Sequence, residues 1–330
     1  MHYATLGSTA LQVSRLCMGT ATFGSQADDL ASFAMLDACA AQGVNFIDTA
    51  NVYPLGSEPT DKGKSERIVG AWLKGQRHQF VLATKGGGVM GPAPGESGNS
   101  RQHLLAAVDA SLKRLGTDHV DLYQLHYDDA TTPLDETLET LDVIVRSGRA
   151  RHVGVSNFQP WRLARAIGRC ETNRWEIPVS VQPRYNLLFR QIERELLPMC
   201  QTENVGVVCY NPLAGGLLSG KHSPTAAPDA NTRFGSGKGA AMYQDRYWHE
   251  REFVAVAEFL KLAAEAGIAP VQLAVAWVLA QPAVTSVIIG ASRVTQLPEV
   301  LQAPAVTLDA GLLARLAALS HEFRRGDAIR

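Results

Sequence analysis

The stretch Phe46-Ile-Asp-Thr-Ala-Asn-Val-Tyr53 decides how this chain is read. An apolar run ends in a carboxylate, Asp48, and a phenol, Tyr53, follows five residues later. A buried strand delivers a charged group to its C-terminal end in this way, with the next polar side chain on the loop beyond it. Two later stretches end alike: Val81-Leu-Ala-Thr-Lys85 in an amine, and Asp121-Leu-Tyr-Gln-Leu-His126 in an imidazole.

Outward from these three, the same rhythm predicts eight strands, at 15–19, 45–48, 80–84, 121–125, 152–156, 180–182, 206–209 and 286–290. Each is short and nearly all apolar, as expected of strands buried on both faces. Segments of helical periodicity separate them, at 32–42, 65–73, 101–115, 134–147, 161–169, 192–203, 271–280 and 295–301. Alternation of this kind implies parallel pairing. Eight units imply closure into a (β/α)8 TIM barrel, one domain over residues 1–330, with an open doubly wound sheet as the alternative. A hairpin over 3–14, turning at Gly7-Ser8, precedes the first unit. Two long loops, 86–100 and 219–249, follow strands and so border the catalytic face. An additional helix at 251–266 and a last one from Leu308, ending in a frayed Arg324-Arg325, complete the expected layout.

Composition narrows the function. The 330 residues carry a formal net charge of −1 without acidic or basic blocks, which argues against nucleic acid or an anionic membrane as partner. The five cysteines are widely spaced with no C-x-x-C pair, so reduced thiols in a cytoplasmic protein are expected. The N-terminus lacks the features of a signal peptide, and the longest apolar run, near 271–280, is too short to span a bilayer.

In a barrel, Asp48, Tyr53, Lys85 and His126 stand on one rim. Taken singly, each has a plainer reading as a cap, an ion-pair partner or packing. Together they suit carbonyl chemistry. A phenol has an ordinary pKa of about 10, and a nearby ammonium lowers it. Tyr53 is therefore the expected proton donor to a carbonyl oxygen, with Lys85 tuning it, Asp48 balancing Lys85, and His126 orienting the carbonyl. No side chain supplies hydride, so a nicotinamide cofactor is implied. A metal site at His126, Asp128 and Asp129 is a weaker alternative, because one short loop offers no second ligand cluster.

For the cofactor, Gly235-Ser-Gly-Lys-Gly-Ala240 imitates a dinucleotide fingerprint but has no strand before it and reads as a flexible loop. Later strand ends are better placed. Ser156, Asn157 and Gln182 can hydrogen-bond a carboxamide, and Tyr210 can stack on a ring. Ser292 and Arg293, before a predicted helix N-terminus at Thr295, suit a phosphate and favour NADPH over NADH.

These motifs resemble the aldo-keto reductases over nearly the whole chain. Phe46-Ile-Asp-Thr-Ala, Tyr53, Ala83-Thr-Lys85 and Leu125-His126 resemble that family's catalytic tetrad. Gly154-Val-Ser-Asn157, Val181-Gln182, Tyr210-Asn-Pro-Leu213 and Ile289-Gly290-Ala-Ser-Arg293 resemble its cofactor positions. The resemblance implies a barrel capped below by the N-terminal hairpin, NADPH as cofactor, and small aldehydes or ketones as substrates. The segment Leu213-Ala-Gly-Gly-Leu-Leu-Ser-Gly-Lys221 is similar to the bacterial branch that includes sugar ketoreductases and potassium-channel β subunits. It implies Leu213, Gly215 and Lys221 along the pyrophosphate, and Ser292, Arg293, Gln296 and Glu299 around the adenosine 2′-phosphate. The asparagine that often follows the glutamate is Val300 here, a departure that bears on adenine binding. The channel subunits keep open a second role, an NADPH-binding redox sensor or regulatory subunit without turnover. Phe23, Tyr53, Trp161, Arg233, Phe234, Tyr243 and Trp248 are the candidates for lining the substrate pocket, and a monomer and a homo-oligomer are both compatible with the sequence.

Overall fold

Ten strands account for the sheet structure of this computed structural model, in which residues 1–56, 58–230, 232–235 and 239–325 are described. Strands β1 (Tyr3–Thr5) and β2 (Gln12–Ser14) form an antiparallel hairpin. The other eight are β3 (Leu16–Gly19), β4 (Phe46–Asp48), β5 (Val81–Gly86), β6 (Val120–Leu125), β7 (Ala150–Ser156), β8 (Ser180–Gln182), β9 (Gly206–Cys209) and β10 (Val284–Ile289). They pair in parallel and in sequence order, and β10 returns to β3, so the sheet is a closed barrel.

Helices alternate with the barrel strands: α1 (Asp29–Ala41), α2 (Lys64–Leu73), α3 (Arg101–Leu115), α4 (Leu134–Arg146), α5 (Pro160–Asn173) and α6 (Leu196–Thr202). Then come α7 (Ala240–Tyr247), α8 (Glu250–Ala266), α9 (Pro270–Leu279), α10 (Leu297–Leu301) and α11 (Ala310–Leu319). Asp28 and Ser100 cap α1 and α3 by accepting backbone N–H groups of Ala31 and His103. Among the described residues, no single helix is long and apolar enough to cross a membrane.

The lumen has two halves. Its lower half is apolar: Cys17, Phe46, Ala83, Leu122, Val208 and Ile288 pack with Leu6 and Val13 of the hairpin. The hairpin thus closes the N-terminal end of the barrel. Its turn approaches so tightly that a Cβ on Gly7, which has φ +54°, would collide with the Val179 carbonyl oxygen. The upper half is polar, with Asp48, Lys85, Gln124 and Gln182 all buried there. The strand register requires this arrangement, since Lys85 pairs with Gln124, and Ser156 with Gln182.

Three expectations change. Residues 191–193 form a 3₁₀ turn, tied by Arg190 Nε donating to Glu193 Oε1 at 2.6 Å, so α6 starts only at Leu196. The tail is pinned rather than frayed: Phe323 is buried, and Arg324 Nε lies 3.3 Å from Glu193 Oε2. The loop expected over 219–249 contains α7, which buries Tyr243 and Tyr247. In its glycine-rich part, residues 236–238 lie outside the described residues.

Tyr123 on β6 is fully buried, and its hydroxyl has no hydrogen-bond partner among the described residues. An unsatisfied buried donor is costly. Tyr123→Phe is therefore expected to raise stability by up to about 1 kcal/mol, read as a higher denaturant midpoint at unchanged slope.

Candidate active site

The chain beyond β4 is carried along β5. The Thr49 and Asn51 N–H groups donate to the Ala83 and Lys85 carbonyls at 2.9 and 3.0 Å. This ladder turns Tyr53 back over Lys85. The Lys85 Nζ lies 5.0 Å from the centre of the Tyr53 ring and donates to Asp48 Oδ2 at 2.5 Å. Neither member of the ion pair is exposed beyond 3%. Asp48 Oδ1 accepts from Gln182 Nε2 at 2.8 Å and from Gln124 Nε2 at 3.1 Å. Sequence reading missed Gln124; its signal is the two-residue strand period that places it inward beside Lys85.

His126 follows β6 at once, and its backbone N–H donates to the Gly86 carbonyl at 2.8 Å. Its ring stacks on Tyr127, centres 4.4 Å apart and planes 1° from parallel, and meets Tyr53 edge-on at 5.7 Å. Burial, and then the Lys85 ammonium, push its pKa well below the ordinary imidazole value. His126 is therefore a neutral imidazole at physiological pH.

Tyr53 departs from expectation. Burial first, and the Asp48 carboxylate second, push its phenol well above the ordinary range; Tyr127 and Tyr243 add to this and Arg233 opposes it. The sequence predicts a lowered phenol under the influence of Lys85. In the structure the ammonium is engaged by Asp48, and burial prevails. Tyr53 is thus a protonated phenol at neutral pH, able to give a proton and unable to take one.

The four predicted positions are therefore brought together. The predicted nicotinamide positions lie beside them at the ends of β7, β8 and β9. Ser156 Oγ donates to the Gln182 carbonyl at 2.8 Å, and the Tyr210 hydroxyl to Asn157 Oδ1 at 2.8 Å. Asn157 and Asn211 hold left-handed backbone at φ 60° and 62°, which asparagine tolerates better than most residues. Ala214 does so at φ 49°, where a side chain is strained, in the turn after Leu213.

Beyond this turn the chain gathers positive charge. Gly215 and Gly216 sit at φ 73° and 106°, and a Cβ on Gly216 would lie 3.6 Å from Lys221 Nζ. One on Gly290 would lie 3.5 Å from Arg233 Nη2, so the loop after β9 reaches the end of β10. Burial lowers the Lys221 pKa, and Arg233 and Arg293 lower it further, with Asp229 opposing. The gathering of Lys221, Arg233 and Arg293 suits an anionic ligand such as a dinucleotide's phosphates.

At the end of β10, Gln296 Oε1 accepts from the Ser292 and Arg293 N–H groups at 2.9 and 3.3 Å. The predicted helix there is a 3₁₀ turn followed by the five-residue α10. The N–H groups of Ser292 and Arg293, just before the turn, are thus taken by the Gln296 side chain. Arg293, Gln296 and Glu299 are exposed, whereas Val300 is buried in the core.

Other candidates fall away. Phe23 and Phe234 are fully buried and present no surface to a ligand, whereas Trp248 is half-buried and packs edge-on to Phe253 at 5.0 Å. Trp161 remains 62% exposed on the rim, and Tyr243 is held by Arg233 Nη1 at 2.8 Å. The alternative metal loop is otherwise engaged: Asp128 pairs with Arg162, and Asp129 accepts from Thr131, Thr132 and Asn99. No group of three metal ligands exists among the described residues.

Residues 15–321 match the sequence model of the Aldo/keto reductase family. The chain belongs to this family. As an aldo/keto reductase, it is an NAD(P)H-dependent oxidoreductase. It is 39% identical to the uncharacterized oxidoreductase YrpG of Bacillus subtilis, over 96% of this chain and 95% of that protein. It is 35% identical to a probable voltage-gated potassium channel subunit beta of Arabidopsis thaliana, over 92% and 91%. It is 34% identical to the L-glyceraldehyde 3-phosphate reductase of Escherichia coli K12, over 92% and 87%.

Proposed function

We propose that this aldo/keto reductase uses NADPH to reduce a small aldehyde or ketone to an alcohol, with Tyr53 giving the proton. The observation that carries this reading is the buried Tyr53 phenol, flanked by the Lys85–Asp48 pair and the His126 ring.

When bound, the nicotinamide cofactor would supply the hydride to the carbonyl carbon. Tyr53 Oη gives its proton to the carbonyl oxygen, completing the alcohol. The phenolate left behind faces the Lys85 ammonium, which stabilises it until solvent restores the proton. Asp48 keeps that ammonium charged in a water-poor lumen. His126, neutral, can donate one N–H to the same oxygen and so fix the carbonyl's direction.

The rim offers groups for each part of that cofactor. Ser156, Asn157 and Gln182 would take the carboxamide, and Tyr210 would stack on the ring. Leu213, Gly215 and Lys221, joined by Arg233, would lie along the pyrophosphate. Ser292, Arg293, Gln296 and Glu299 would surround the adenosine 2′-phosphate, with Gly290 as a further cofactor contact.

The test is NADPH consumption with a reactive aromatic aldehyde, alongside cofactor titrations of Arg293→Ala. A charge-assisted contact to phosphate is worth enough that this variant should bind NADPH roughly ten- to a hundredfold more weakly. NADH affinity should stay within about twofold, because NADH has no 2′-phosphate to lose. Equal weakening of both cofactors would show that Arg293 does not read the 2′-phosphate. Absence of turnover with every carbonyl offered would reject the reductase reading.

A further inference from the structure

The polar half of the barrel holds one side chain to which the proposed reaction gives no task. Gln124 is fully buried on β6, two residues before His126. Its amide belongs to a closed triangle with Asp48 and Gln182. Gln124 Nε2 donates to Asp48 Oδ1 at 3.1 Å, and Gln182 Nε2 donates to the same oxygen at 2.8 Å. Gln182 Nε2 also donates to Gln124 Oε1 at 3.3 Å.

A carboxylate only accepts hydrogen bonds, so the triangle fixes which way each amide points. A reversed Gln182 amide would set its Oε1 against Asp48 Oδ1, acceptor against acceptor. Both Gln182 N–H groups are thereby committed. Its Oε1 is the atom left for a ligand, and it can serve only a donor. The carboxamide of a nicotinamide offers such a donor in its NH₂.

We infer that Gln124 is a positioning residue for the cofactor's carboxamide: together with Asp48 it locks the Gln182 amide with Oε1 as the ligand-facing atom. The inference rests on the NADPH reading above. It gives Asp48 a second task, since the carboxylate that balances Lys85 also sets the polarity of Gln182. It also distinguishes Gln124 from a space-filling residue, which would leave Asp48 alone to hold the amide of Gln182.

The experiment compares three ligands on wild type and on Gln124→Leu, with dissociation constants from calorimetric titration. NADP presents the carboxamide. Its 3-acetylpyridine analogue keeps the carbonyl but lacks the NH₂ donor. Adenosine 2′,5′-bisphosphate reports the adenine end alone. Wild type should favour NADP over the analogue by roughly three- to tenfold, the order of one hydrogen bond. In Gln124→Leu, where Asp48 alone still holds the Gln182 amide, the ratio should fall to about half its wild-type value or less, while the bisphosphate stays within about twofold. Gln124→Met, closer in volume, carries the same expectation should the leucine variant not fold. A ratio unchanged by substitution, including one already near one in the wild type, overturns the inference. So does equal weakening of all three ligands, which marks a general loss of structure. If the wild type discriminates between the ligands but lacks carbonyl turnover, the reductase reading fails and the positioning role stands. A wild type that binds none of the three overturns both.

Discussion

Tyr53→Phe is expected to lower kcat for aldehyde reduction by roughly 10²- to 10⁴-fold while leaving NADPH affinity within about twofold. The substitution removes one hydroxyl and keeps the ring. The edge contact with His126 and the 5.0 Å approach of Lys85 to the ring therefore survive, and the fold should not notice the change. Only the proton is lost. The pH profile supplies a second check. With the phenol raised and the imidazole lowered, neither group titrates near neutrality. Reduction by the wild type should be flat between about pH 6 and about pH 9. Alcohol oxidation needs the phenolate and should climb with pH over the same interval. A reduction rate that falls with a midpoint near neutrality would assign the proton to another group. Cofactor binding without turnover in either protein would favour the sensor or regulatory-subunit role instead. A large loss of NADPH affinity in Tyr53→Phe would remove Tyr53 from the acid's role.

The barrel was legible because its strands carry an unambiguous signal. Eight short apolar runs separated by helical periodicity leave few topologies, and strand ends in a barrel share one rim. Asp48, Lys85 and His126 could be seen because each is polar at the end of an apolar run. Gln124 was hidden by the same logic, since it stands inside a run, and only its inward register gives it meaning. Helix α7 was hidden for another reason. Its eight residues have no side-chain cap, and burial of Tyr243 and Tyr247 against the rest of the fold makes it a helix. The direction of the Tyr53 shift was illegible in principle. It is set first by burial of the phenol and next by the nearby Asp48 carboxylate, and the sequence holds these groups without their burial or their distances.

Those distances also govern the largest expected stability effect. Asp48→Asn should destabilise the protein by about 3–5 kcal/mol, because it leaves the Lys85 ammonium buried without a counter-charge. Lys85→Met should cost a similar amount by stranding the carboxylate instead. The double variant separates the ion pair from the rest of the network. An asparagine at position 48 still offers a carbonyl oxygen to the Gln124 and Gln182 amides, and a methionine at position 85 fills the space of the lysine stem without a charge. The double variant should therefore lose much less than the sum of the two single variants, with a coupling energy of about 2 kcal/mol or more from denaturant unfolding. Additive losses would mean that the pair is not a mutually dependent unit and that each side chain is held by its other contacts. Activity should not follow stability. The double variant restores much of the fold but leaves the Tyr53 phenolate without its cation, so a stable but slow enzyme is the expected result. Full activity in that variant would show that Lys85 is needed for the fold alone.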